Sequence, residues 1–173
     1  MKTTVSGFAV VAAVTVAVVG IGLLCAQSPR DSGSKFVDEI PAGYRDWKLI
    51  SIAHEEGNLH SFAAVLGNEA AVDAYRANRR PFPDGSIIAA LHYSHVSSEE
   101  NNRAFGQSQS FVPGAPTNIQ FMVKDSRKYA ATGGWGFGHF QDGKPADAGF
   151  MRPCFPCHEK TRASDFVFTR YIP

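Results

Sequence analysis

The residues best suited to chemistry are the five of Cys154-Phe155-Pro156-Cys157-His158, near the end of the chain. Two thiols three residues apart on one helical turn can reach both vinyl groups of a single haem. The next residue, His158, then lies under the iron as its proximal ligand. The spacing therefore predicts one covalently bound haem c, attached through Cys154 and Cys157, with His158 as the iron ligand.

Three other interpretations of this cysteine pair stay open. A thioredoxin-like dithiol usually lies early in the chain, where a helix follows a strand in a βαβ unit, whereas this pair is close to the C-terminus. Zinc would need a fourth ligand and usually a second cysteine pair. A structural disulfide is the third interpretation. The adjoining histidine and an export segment favour haem, because c-type haem is attached outside the cytoplasm in bacteria.

The first 26 residues differ in character from the rest, since Lys2 is their only charged side chain. An unbroken run of apolar or small residues extends from Phe8 to Ala26, and the polar block QSPRDSGSK follows at once. The run, of about 19 residues, is intermediate in length between a signal-peptide core and a membrane-spanning helix. We therefore expect residues 1–26 to be a signal peptide or an N-terminal membrane anchor, residues 27–35 to be a linker, and the protein to be periplasmic.

The rest of the chain suits one compact domain, which we place at residues 36–173. Without the leader and its Lys2, the chain carries 16 Lys+Arg (17 less one) and 16 Asp+Glu, a formal net charge of zero. This balance argues against a nucleic-acid partner. Because Cys25 belongs to the leader, only Cys154 and Cys157 remain, which excludes a disulfide framework.

Short apolar runs alternate with turn signals after Phe36, which predicts an α+β fold that is rich in strands and has fewer helices. Helices are expected at Glu69–Asn78, capped by Asn68, and at Ser126–Ala131, capped by Asp125 and ended by Gly133-Gly134. A C-terminal helix that starts near Pro153 should carry the haem-attachment motif. The predicted strands are Lys48–Ala53, Ser61–Leu66, Ser86–Val96, Asn118–Lys124, Trp135–Phe140 and Phe166–Tyr171.

The sixth coordination position of the iron decides the function. A second strong protein ligand would make an electron carrier, while an open or apolar distal side leaves the iron free for small molecules. Alternation along Ser86–Val96 puts Ile88, Ala90 and His92 on one face, and neighbours on that face are about 6.6 Å apart. His92 therefore has the best claim to ligate the iron, although we expect a surface or core role for each candidate. The candidate ligands are His54, His60, His92, His95, His139, Met122 and Met151.

Two acidic pairs, Glu55-Glu56 and Glu99-Glu100, are expected to lie in solvated loops rather than in an acid–base site. Aromatic side chains could cap an apolar distal side, although for each of them we favour a place in the core. These are Phe62, Phe82, Phe105, Phe111 and Phe121.

Several segments together resemble the cytochrome P-460 family, which also contains the cytochromes c′-β. The similarity runs from IPAGYRDWKLI through RPFPDGSII and FMVKDSRKYAATGGWGF to CFPCHEKTRASDFVFTRYIP, nearly all of residues 40–173. The KD-x(2)-KYA-x-TGGWGF block, the CHEK run and the terminal DFVFTRY make it specific. The resemblance implies a mainly antiparallel β domain, usually a homodimer, with haem c bound through Cys154, Cys157 and His158.

The same resemblance raises a question about activity. In the hydroxylamine-oxidising members a lysine on the strand after the FPDG-type turn is covalently joined to the haem edge. Alignment of Pro83-Asp84-Gly85 with that turn puts Ala90 at the position of the lysine, and no lysine lies between Lys48 and Lys124. The resemblance thus implies the cofactor and the fold more strongly than it implies hydroxylamine oxidation.

Two hypotheses of different class follow. The first is a c′-β-like cytochrome whose open or apolar distal side binds a small gaseous or nitrogenous ligand such as NO, or which passes electrons to an unidentified redox partner. The second is an oxidoreductase that acts on hydroxylamine or a related small nitrogen species without the cross-link. Turnover with hydroxylamine and an artificial electron acceptor would separate the two hypotheses.

Overall fold

The computed structural model of the chain describes residues 1–3 and 35–172. Apart from their outermost residues, the predicted leader and linker therefore lie outside the described part. Among the described residues, no helix combines the length and the apolar character needed to cross a membrane.

Six strands form one antiparallel sheet in which each strand pairs with its neighbours in sequence. This meander confirms the predicted α+β class. Hairpin connections are sufficient to build it, because antiparallel neighbours need no crossover. The strands are β1 (Lys48–Glu55), β2 (Ser61–Gly67), β3 (Ile87–Ser97), β4 (Phe111–Lys124), β5 (Trp135–Gln141) and β6 (Lys144–Pro145).

The two faces of the sheet have different environments. Along β2, Ser61, Ala63 and Val65 are buried, while the residues between them are only half-buried. This period of two is typical of a strand whose faces meet different environments. The larger core cluster, which includes Val65 and Trp135, lies on the first face. A smaller cluster around Phe121 lies on the second face.

Short helices connect and flank the strands. They are α1 (Glu69–Arg76), α2 (Glu99–Phe105), α3 (Ala148–Met151) and α4 (Cys154–His158). As predicted, the Asn68 side chain caps α1 by accepting a hydrogen bond from the Ala71 N–H. The C-terminal helix α4 is also confirmed, and a 3₁₀ segment, Glu159–Ser164, continues it.

The predicted strand Phe166–Tyr171 is wrong. This segment is irregular, and Phe166 has a left-handed backbone (φ 66°) that a strand does not allow. Its polar backbone atoms instead bind isolated partners: the Thr169 carbonyl accepts from the Tyr75 hydroxyl, and the Ile172 N–H donates to Ile50. The apolar residues that suggested a strand are explained by the packing of Phe166 and Val167 into the core.

Two local predictions need correction as well. The predicted helix Ser126–Ala131 is only a turn followed by a 3₁₀ helix, Ala130–Thr132, although Asp125 caps the turn and Gly133 ends it in the expected left-handed conformation. The predicted loop around Glu99-Glu100 is helix α2. Its signals were present in the sequence, since Ser98 is the N-cap and Gly106 the left-handed C-cap.

Strand β4 begins seven residues before the predicted Asn118, at Phe111. Pro113 and Pro116 argued against a strand there, because proline cannot donate to a ladder. The ladder accommodates them through irregularities next to Tyr93, which pairs with Pro116, and next to His95, which pairs with Pro113.

Candidate functional site

A cavity of about 980 Å³ lies on the first face of the sheet. Cofactor pockets typically have volumes of about 300–1,000 Å³, so this one is at the upper end. Small side chains, among them Ala53, Ala63 and Ala90, line its floor and leave this space open. The opposite wall comes from α3, α4 and the segment Val167–Arg170.

The strand register arranges the cavity floor in rows. Ile88, Met122 and Phe137 are neighbours in one row. The next row contains Ala90, paired with Val65 and Gln120.

Further along the strands, His92 pairs with Ala63 and Asn118, and Glu55 pairs with Ser61. The floor therefore changes from apolar to polar over roughly 13 Å, since two residues advance a strand by about 6.6 Å.

Helix α4 presents its two thiols to this cavity. Cys154 and Cys157 both line it, and neither forms a disulfide. Positions i and i+3 of a helix share one side, which explains why the spacing brings both thiols to one cavity. Burial raises the pKa of the Cys154 thiol. A dithiol of the thioredoxin type needs a lowered pKa, so the environment of Cys154 argues against that alternative.

His158 lies at the end of α4 and also lines the cavity. Its Nδ1 is 2.7 Å from the carbonyl oxygen of Phe166. Because a carbonyl can only accept, Nδ1 must carry the proton, and Nε2 then keeps a lone pair that would be free to bind a metal. The ring packs against Phe137 and Phe168, with centroids 4.9 and 5.1 Å away.

The protonation state of His158 suits a metal ligand. Burial lowers the pKa of His158, and the hydrogen bond to Phe166 only partly opposes this effect. At neutral pH the imidazole is therefore neutral. A neutral imidazole, two reduced thiols on the same helix and a partly apolar cavity fit a haem held through Cys154, Cys157 and His158.

Four of the candidate distal ligands are buried or half-buried near this face. His92, His139 and Met122 line the cavity, whereas Met151 is packed into the core. The His139 ring contacts Phe150, with centroids 4.6 Å apart.

The other three candidates, His54, His60 and His95, form a separate cluster beyond the cavity lining. His95 Nδ1 is 3.3 Å from His60 Nε2, and the His54 and His95 rings are 4.5 Å apart. None of these three histidines is among the described residues that line the cavity with His158.

His92 has a polar environment that the sequence did not predict. Its Nδ1 is 3.3 Å from the Ser61 hydroxyl and 3.7 Å from Glu55 Oε2. That carboxylate oxygen is buried, and it has no hydrogen-bond partner among the described residues. Burial lowers the pKa of His92, while Glu55 partly opposes the shift. The expectation that Glu55 lies in a solvated loop is wrong, because Glu55 is the last residue of β1 and lines the cavity. Glu56 is exposed and forms an ion pair with His54.

The aromatic residues around the cavity are mostly not those proposed from the sequence. Of the proposed set only Phe121 borders the cavity, and its ring packs against Tyr44 and Phe140 in the cluster on the second face. Phe62 packs against His54 and His95. Phe82 is buried in the core, and Phe105 and Phe111 are exposed elsewhere. The lining aromatics that were missed are Phe137, Phe150 and Phe168. Alternation along the strand Trp135–Phe140 was a signal for Phe137, whereas nothing local indicated the other two.

Ala90 lies on the cavity floor, as the alignment with the haem-linked strand requires. None of the described residues that line the cavity is a lysine. Lys124 shares the sheet face but is bound to Asp165, with Nζ 2.9 Å from Oδ1.

The protein has the features of a cofactor-binding β protein. Its meander sheet carries a large cavity, and one helix supplies two reduced thiols and a neutral imidazole to that cavity. The family model described as Cytochrome P460 matches residues 41–169, most of the chain. The chain belongs to the cytochrome P460 family, and it is therefore a haem-binding cytochrome. A comparison with curated proteins finds no significant match.

Proposed function

We propose that this protein is an exported, mono-haem c-type cytochrome of the cytochrome P-460 or c′-β kind, which binds a small ligand such as NO or passes electrons. One observation carries the proposal: Cys154, Cys157 and the unprotonated Nε2 of His158 belong to one helical turn at one cavity. Haem supplies the redox-active, ligand-binding iron. The chain holds it, orients the proximal imidazole and shapes the access to the distal side.

Covalent attachment is tested by extraction with acidified organic solvent. Thioether bonds do not depend on the fold, so the haem should stay with the denatured protein. Cys154→Ser with Cys157→Ser should release it, and Cys25→Ser is the matched control because that residue belongs to the predicted leader. Extraction of haem from the unaltered protein would refute the attachment.

The absence of a lysine–haem cross-link is part of the proposal, since Ala90 has only a methyl group. The intact mass should equal the mature chain plus one haem, with no further loss of hydrogen. The ferrous Soret band should resemble that of an ordinary c-type haem. A strongly red-shifted band together with a lysine-containing haem peptide would contradict this assignment.

The proposed distal side is open at Ala90, with His92 one row further along β3. The ferric iron should then be mainly five-coordinate or water-bound, and the ferrous iron should take up NO without a slow step of ligand release. His92 is held by Ser61, so His92→Ala should leave the ferric and ferrous spectra nearly unchanged. A low-spin bis-histidine spectrum that this substitution converts to high spin would favour an electron carrier.

A second candidate function, oxidation of hydroxylamine or a related small nitrogen species, is favoured by the carboxylate of Glu55. Its unpartnered Oε2 beside His92 could accept a proton from a substrate in the cavity. Steady-state turnover with hydroxylamine and an artificial acceptor tests it. Turnover that Glu55→Gln abolishes, while NO binding persists, would establish an enzyme.

We also propose a homodimer in a periplasmic setting. The second face of the sheet supports the dimer, because Leu66 and Tyr93 on that face are only partly covered and Ile52 is 62% exposed. Light scattering of the haem-loaded protein should give twice the chain mass, and Ile52→Lys should reduce it to one chain. Fractionation of the native cell should place the protein in the periplasm or, if the leader is retained, on the membrane.

A further inference from the structure

A buried ion pair joins β4 to the segment that follows α4. Lys124 Nζ is 2.9 and 3.0 Å from the two oxygens of Asp165, and the two side chains are 6% and 8% exposed. Lys124 also donates to the Gly133 carbonyl at 3.0 Å, and Asp165 Oδ2 accepts from the Phe82 N–H at 2.8 Å. Desolvation of two charges offsets most of their attraction, so such a pair is poorly explained by stability alone.

The pair holds an unfavourable stretch of backbone. Asp165 and Phe166 are consecutive left-handed residues, with φ of 54° and 66°, and neither is glycine. L-residues avoid this conformation because Cβ approaches the following carbonyl oxygen. The contacts of the Asp165 carboxylate fix the first residue. The Phe166 ring occupies the space beside Gly133 that any Cβ there would overlap.

This turn directs the Phe166 carbonyl at His158. The distance from His158 Nδ1 to that oxygen is 2.7 Å, short for a hydrogen bond of this type. An acceptor on the ring nitrogen that does not bind metal fixes the orientation of the imidazole and raises the basicity of the other nitrogen. A more basic proximal ligand stabilises Fe(III) relative to Fe(II).

We propose that the Lys124–Asp165 ion pair is a positioning device for His158: it holds the Asp165–Phe166 turn so that the Phe166 carbonyl accepts the Nδ1 proton, and it thereby lowers the reduction potential of the haem iron. The proposal rests on the haem attachment proposed above. It also explains why the KD-x(2)-KYA-x-TGGWGF block and the terminal DFVFTRY occur together. Lys124 and Gly133 come from the first, Asp165 and Phe166 from the second, and the four residues form one cluster.

The test uses the holoprotein with Lys124→Met and Asp165→Asn combined. This double variant leaves no unpaired buried charge, and asparagine tolerates the left-handed backbone and still accepts from Phe82. The readouts are the midpoint potential by spectroelectrochemistry and the Fe(II)–histidine stretching frequency by resonance Raman. Glu159→Gln is the matched control, because it breaks an exposed ion pair with Arg162 in the same segment.

The double variant should keep its covalent haem, show a higher potential and show a lower Fe(II)–histidine frequency. The expected change is about tenfold in the Fe(II)/Fe(III) ratio at fixed potential, which is about 59 mV for one electron. The factor of about ten is taken from the lower end of the effect that mutation of outer-shell partners has on metal affinity or activity. Glu159→Gln should change neither readout. A haem-loaded double variant whose midpoint potential and Fe(II)–histidine frequency are both unchanged would overturn the proposal.

If the double variant does not assemble, the Fe(II)–histidine stretching frequency of the wild-type protein tests the proposal. A frequency typical of an imidazole with no acceptor for its ring N–H would overturn the proposal, and a higher frequency would support it. Haem that is not covalently attached at all would instead contradict the proposed function, so the two failures can be told apart.

Discussion

Removal of one partner of the Lys124–Asp165 pair should cost far more stability than removal of both. Among the described residues, Lys124→Met leaves the Asp165 carboxylate, 8% exposed, with only the Phe82 N–H as a hydrogen-bond donor. Asp165→Asn leaves the Lys124 ammonium buried against the Gly133 carbonyl and the Trp135 ring, whose centroid is 4.9 Å from Nζ. An uncompensated buried charge costs about 3–5 kcal/mol, so we expect each single variant to lose that much free energy of unfolding.

The double variant removes both charges and should lose only about 1–3 kcal/mol, chiefly because the Gly133 carbonyl loses its donor. Its loss should therefore be smaller than that of either single variant. Urea unfolding of the three holoproteins measures the cycle, and each single variant should also melt roughly 6–20 °C lower. Glu159→Gln is the control, at about 0–1 kcal/mol for an exposed pair. Single variants that each cost under about 1 kcal/mol, or costs that simply add, would refute the account of a desolvated pair.

Two further predictions follow from local geometry and titration. Gly133→Ala should destabilise the fold by about 1–3 kcal/mol more than Gly143→Ala in urea unfolding. Both glycines have positive φ, but only at Gly133 would the new methyl group overlap a side chain, that of Phe166. Equal losses of stability would show that backbone strain alone matters. Burial lowers the pKa of His92 below its ordinary 6.5, so the unfolded chain binds a proton more readily and stability should fall as the pH drops from about 6.5 towards the folded pKa. His92→Gln should flatten this pH dependence in unfolding experiments, and an unchanged slope would mean that His92 protonates equally well in both states.

Local patterns in the sequence were sufficient for most of the sheet and for helix α4. Alternation along β2 and β3 reflects burial of one face, which acts on each residue separately and so leaves a period that can be read without knowing the partners. The two cysteines and His158 are adjacent in sequence, so their chemistry needs only one helical turn. The same holds for the placement of Ala90 and His92 on a common face, which the cavity lining confirms.

Tertiary structure alone decided where the C-terminal segment runs and what surrounds His92. Phe166–Tyr171 has the composition of a strand, but the left-handed turn at Asp165 and Phe166 is stabilised by Lys124, 41 residues earlier in the chain. Likewise, Glu55 and Ser61 approach His92 only because three strands pair in register. A local pattern records the burial of a residue but not the identity of its distant partner. The hydrogen bond from His158 to the Phe166 carbonyl and the polar end of the cavity therefore became visible only when the chain was folded.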